Sequence, residues 1–192
     1  MLSNLILSLA QHDYAVEIYA EETVNELGTR FIDGVLALTW SDQTLAIVRD
    51  LDAVPVVAIN RGDLTDISVV ATDHRQAGQL AAQTFIENGH TRLAFLSEEQ
   101  DWGADQRIQG MRDVMTRHNL QQDHLYAGFT DHLNSIADTV AQLVRHEPTA
   151  LFIAAEDRII EALHALRNHN LRVPDTLSVI GLETPGVSEF LD

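Results

Sequence analysis

Cysteine is absent from the 192 residues and so is lysine; all 12 basic side chains are arginine. Without cysteine there are no disulfides and no thiolate chemistry, as suits a cytoplasmic protein. No stretch approaches the ~20 consecutive apolar residues of a membrane span, so no membrane partner is expected. The apolar opening Met1–Ala10 lacks the basic flank and small-residue cleavage site of a secretory signal. Its Leu2, Leu5, Ile6 and Leu9 instead fall at the i, i+3, i+4, i+7 spacing of an amphipathic helix. Catalytic motifs are missing too: there is no nucleophile elbow, phosphate-binding loop or dinucleotide fingerprint. An enzyme is therefore not expected. The nine histidines form no metal-binding spacing such as His-Glu-x-x-His, and neither a metal nor a cofactor is expected.

Basic charge is scarce. Against 29 acids the 12 arginines leave a formal charge of −17. Binding to duplex DNA draws on a basic surface that displaces phosphate counterions, so this chain is not expected to bind DNA by itself. The acidic surface suits solubility or a salt-loving source. What remains, 45% hydrophobic and 21% charged, is ordinary globular composition, long enough for one large domain or two small ones.

Short β-branched or Leu-rich runs alternate with helical patterns along the chain. Strands are predicted at Tyr14–Ala20, Gly34–Leu38, Pro55–Ile59, Ile67–Thr72, Arg92–Leu96, Ala150–Ala154 and Leu177–Gly181. Helices are predicted at Ser41–Leu51, His74–Glu87, Ala104–His118, Leu133–Arg145 and Asp157–Asn168, the second on the spacing of Ala77, Leu80, Ala81 and Phe85. Such alternation means βαβ units and mostly parallel, doubly wound sheets, an α/β fold. Between Pro55 and Thr72 two strands follow with only the polar loop Asn60-Arg61-Gly62-Asp63 between them, and a subdomain crossing is placed there. Doubly wound sheets bind ligands beyond the carboxyl ends of their strands. The residues to weigh are therefore Thr39, Trp40, Asn60, Arg61, Asp73, His74, Ser97, Glu156, Asp157 and Glu183.

Four segments carry a family resemblance: Gly89-His90-Thr91-Arg92-Leu93-Ala94-Phe95-Leu96; Arg107-Ile108-Gln109-Gly110 at the start of a helix; Pro148-Thr149-Ala150-Leu151-Phe152 with Glu156-Asp157; and Val173-Pro174-Asp175-Thr176-Leu177-Ser178-Val179-Ile180-Gly181. In this order and spacing, with support from Ile32-Asp33-Gly34-Val35 and Val54-Pro55-Val56-Val57, the chain resembles the LacI/GalR family of transcriptional regulators over nearly its whole length.

The resemblance implies two subdomains of the type I periplasmic-binding-protein-like fold, 1–66 and 67–192, with a cleft for a sugar-like effector between them. It implies a homodimer whose DNA contact runs through a helix-turn-helix domain missing from this chain. The first strand of subdomain one is missing as well, and the chain stops before the segment that returns to that subdomain, which is read as incomplete. A sugar-binding protein of a transporter is the alternative with the same fold.

The resemblance also implies ligand residues. Arg107 offers a planar fork of donors to effector hydroxyls or a carboxylate, or else pairs on the surface with Asp101 or Asp105. Glu183 stands where the family usually carries Asp, and Glu156 where it commonly carries Asn; ionised Glu only accepts hydrogen bonds, so Glu156 points to a more cationic or more donor-rich ligand. Asn60 matches a cleft-facing Asp position, and Asp73 comes just after the predicted strand Ile67–Thr72. Trp40 and Phe129 offer flat faces to a sugar ring and serve equally well in a core. Asp157 reads as a helix N-cap.

Overall fold

The computed structural model describes residues 2–29, 31–38, 41–51, 54–130, 134–155 and 158–182. The alternating pattern gives two parallel sheets, and the chain divides into two units, Met1–Ala71 and Thr72–Asp192.

The second unit is built on β4, Leu93–Ser97, every residue of which is buried. Successive strand residues point to opposite faces, so the apolar run LAFLS feeds two cores. Leu93 and Phe95 pack with α3 (His74–Glu87) and α4 (Trp102–Arg117), while Ala94 and Leu96 pack with α5 (Ile136–Leu143) and α6 (Ile159–Asn168). Around β4 lie β5 (Leu125–Phe129), β6 (Ala150–Ile153) and β7 (Ser178–Gly181), all parallel, in the order β5-β4-β6-β7. Register sets Leu93 against Leu125 on one side and Ala150 on the other. The order reverses between β4 and β6, so their outgoing connections part to opposite faces and open a crevice at the carboxyl edge.

Strand β5 escapes sequence reading because Ala127 and Gly128 dilute its apolar run. The glycine is there for the helix above: a Cβ on Gly128 would stand 2.7 Å from Thr139 Cγ2 and 3.0 Å from Leu143 Cδ1. Helix α3 differs from its predicted face. Leu80 is 63% exposed, and the buried stripe is His74, Gly78, Ala81, Ala82 and Phe85. Small residues on that stripe let α4 approach, and a scan for large apolar residues does not see them.

Across the α3–α4 crossing, Arg75 Nε donates to Asp113 Oδ2 at 2.7 Å, with Gln109 and Gln79 donating to the same carboxylate. Arg75 first, then Gln109 and Gln79, hold the Asp113 carboxyl down at about 2. A depressed acid pKa contributes stability that is present above the ordinary value near 3.8 and is lost as pH falls through about 2. Urea unfolding followed between those limits should show a shallower acid loss for Asp113→Asn than for wild type. Identical slopes would show that this pair is uncoupled from folding.

The first unit has α1 (Leu2–Ala10), a 3-10 helix (Glu21–Thr29), α2 (Asp42–Arg49) and a sheet in the order β1-β2-β3. The strands are β1 (Val35–Ala37), β2 (Val56–Ile59) and β3 (Ser68–Val70), again parallel. Ser41 caps α2 by accepting from the Thr44 amide. Val24, Leu27 and Val48 form a small core. Because β3 bonds to β2, the units divide at Ala71/Thr72, five residues beyond the Asp66/Ile67 boundary read from the sequence. The predicted strand Tyr14–Ala20 is not formed: among the described residues nothing pairs with it, and without a ladder the β-rich run stays irregular, with Tyr14 and Ile18 exposed.

Candidate functional site

In the second unit, α3 runs back toward β4 through the turn at Gly89, whose φ of +86° suits glycine, and α4 leaves from the far end of β4. Both helices therefore begin at the carboxyl edge of the sheet. Asp73 caps α3, its Oδ1 accepting from the Gln76 amide at 2.8 Å; Asp101 caps α4, accepting from the Ala104 amide at 2.7 Å. Each cap satisfies an amide left open at its helix terminus. Asp73 thus has a structural duty beside the ligand role expected of it.

Arg107 lies in the second turn of α4, 9% exposed, so it is a buried side chain rather than a surface one. Its position follows from the helix crossing: a Cβ on Gly78 of α3 would sit 2.7 Å from the Arg107 carbonyl carbon. The backbones touch there, which pins the Arg107 main chain.

One turn before Gly78, His74 is also buried, at 5% exposure. Its ring meets Trp102 edge-on, centroids 5.4 Å apart at 75°, and lies over Gly103. Burial first, and then the nearby Arg107 charge, push its pKa below the ordinary imidazole value; Asp101 and Asp73 pull the other way. Phe129 ends β5, half-buried, with its ring 6.3 Å from Phe95 at 63°. It extends the core to the carboxyl edge, where Thr130 N donates to Ser97 O at 3.0 Å.

Asn60 belongs to the first unit. It follows β2 with φ +58°, a left-handed conformation that Asn tolerates, and its amide donates to Val70 O at 2.8 Å. Next to it Arg61 is buried and forks onto Asp63, with Nε–Oδ1 and Nη2–Oδ2 both 2.9 Å. That fork holds the Asp63 carboxyl below its usual range. Trp40, Glu156 and Glu183, and with them Asp157, lie outside the described residues.

Of the expected ligand residues, Asp73, Arg107 and Phe129 thus share one edge of one sheet. In the sequence His74 reads only as a strand-end residue, and Trp102 carries no signal of its own. The signal was available in the spacing: positions 74 and 78 of α3 face 103 and 107 of α4. Together the edge offers a fixed fork of donors, an imidazole and aromatic faces, a set that suits a small polar molecule with flat apolar sides. No helix among the described residues is long and apolar enough to cross a membrane.

Residues 82–191 match the family described as periplasmic binding protein-like domain. The HTH-type transcriptional regulator CelR of Thermobifida fusca is 30% identical over 174 residues, 86% of this chain and 51% of CelR. A solved CelR–cellobiose complex superposes with a TM-score of 0.75 at 25% identity, over 91% of this chain and 58% of that one. The ribose-bound LacI family regulator of Enterococcus faecium gives a TM-score of 0.81 over 100% of this chain and 74% of that one; at 19% identity that is a likeness of fold. The chain spans about half the length of the curated relatives it matches. With the buried arginine on α4, the parallel sheets and these matches together, the chain belongs to the periplasmic binding protein-like domain family, in the form found in the effector-binding part of LacI-family transcriptional regulators.

Proposed function

We propose that this chain senses a small sugar-like effector for a LacI-type transcriptional regulator. Ligand binding at the carboxyl edge of the second unit's sheet shifts a conformational equilibrium, and an attached helix-turn-helix domain reads that shift out on DNA. The working regulator is a cytoplasmic homodimer, since paired DNA half-sites call for twofold protein symmetry. The observation that carries the reading is the buried Arg107 on α4, beside the crevice where the strand order reverses. Relatives captured with cellobiose and with ribose support a sugar as the effector class.

Calorimetry with cellobiose, ribose and a panel of other mono- and disaccharides tests it. At least one sugar is expected to bind. Arg107→Ala should weaken that sugar about tenfold or more, because a hydrogen bond to a charged donor is worth roughly 1.5–3 kcal/mol. Wild-type protein that ignores every sugar would sink the effector class; unchanged affinity in the variant would remove Arg107 from the site.

A further inference from the structure

His74 is a polar side chain that the fold has no use for. It is 5% exposed, and among the described residues neither ring nitrogen has a hydrogen-bond partner. Burying a donor and an acceptor without partners costs their full desolvation, and an apolar side chain of similar size would avoid that cost. Yet the surroundings are shaped to this ring. Gly103 lies beneath it, where a Cβ would stand 3.2 Å from both Cδ2 and Nε2, and Trp102 closes over it edge-on. Trp102 is itself only half-buried, on the first turn of α4, and among the described residues is the one ring against His74. Unpaired polar groups held in a fitted recess next to a candidate ligand residue point to a partner that arrives from outside.

We infer that His74 is a hydroxyl-reading contact of the effector site, uncovered when Trp102 turns aside, with one ring nitrogen accepting from the effector and the other donating to it. The chemistry complements Arg107: a guanidinium only donates, whereas a neutral imidazole adds an acceptor, and a sugar hydroxyl needs both. The displaced indole is then free to lie against the apolar face of the sugar. This rests on the reading that the carboxyl edge of the second unit binds a polyhydroxylated effector.

The full chain carrying His74→Leu or His74→Gln, titrated by calorimetry with the sugar that binds wild type best among cellobiose, ribose and the wider panel, tests the inference. His74→Leu should stay folded and bind at least about tenfold more weakly, the loss expected for an unmade hydrogen bond pair. His74→Gln, which restores a donor and an acceptor, should recover part of that loss. Wild-type affinity should also decline as pH falls below the ordinary imidazole value of 6.5, because protonation removes the acceptor from a ring whose charged neighbours are Arg107, Asp101 and Asp73. That decline should vanish in His74→Gln. Equal affinity of wild type and His74→Leu, equal losses in both variants, or unfolding of His74→Leu would each overturn the inference. If wild type binds no sugar at all, it is the effector reading that fails, and this contact with it.

Discussion

Gly78→Ala should destabilise the second unit by about 3 kcal/mol or more, the upper range for forcing atoms into a filled interface. The new Cβ would fall inside the van der Waals envelope of the Arg107 carbonyl oxygen and within 2.9 Å of the Arg107 Cα. Everything it meets is backbone, so no rotamer change relieves the overlap and α3 must move off α4. Gly110→Ala should behave alike, since its Cβ would stand 3.0 Å from the Arg75 carbonyl carbon and the Gln79 amide. Gly28, with nothing within 4 Å of an added Cβ, supplies the control and should tolerate alanine. Urea midpoints at unchanged slope measure all three. A Gly78→Ala midpoint indistinguishable from the Gly28→Ala midpoint would mean that the helices do not meet backbone to backbone. The same displacement carries Arg107 with it, so the sugar binding proposed above should fall in parallel with stability.

Phe95→Ala should cost about 3–5 kcal/mol, the range for emptying a buried aromatic site. Phe95 is fully buried at the centre of β4 and meets Phe152 edge-to-face at 5.6 Å and Phe129 at 6.3 Å. The fully buried neighbours around it, Leu93 and Met111 among them, belong to the same core and cannot collapse far into the gap. Because Phe129 leans on Phe95, the variant should also loosen the carboxyl edge and weaken the effector binding proposed there in whatever fraction remains folded. Leu80→Ala, on the exposed side of α3, is the matched control and should change the midpoint little. A loss as small as that of Leu80→Ala would show that the aromatic cluster is not the core of this unit.

The two units respond differently to sequence reading, for a physical reason. In the second, Leu93–Ser97 and Ala150–Ile153 lie inside the sheet and are buried on both faces, so their apolar runs are unbroken and legible. In the first, the run at Tyr14–Ala20 has the composition of a strand but takes no partner among the described residues. Strand character belongs to a pairing rather than to a segment, so composition alone over-reads it.

Residue pattern by itself determined the α/β class and the positions of six of the seven strands and all six α-helices among the described residues, and the family resemblance added Arg107 as a residue to test. These depend on local periodicity and on a motif, both carried along a few neighbouring positions. It was the tertiary structure that decided which face of α3 is buried, that β3 pairs with β2, and that Asp73 caps a helix. The structure alone also brought His74 under Trp102 and beside Arg107, 33 positions along the chain from it. The reason is the crossing of Gly78 and Gly110. Two residues without side chains bring two helices into backbone contact, and that contact, invisible to any count of apolar residues, sets what stands at the carboxyl edge.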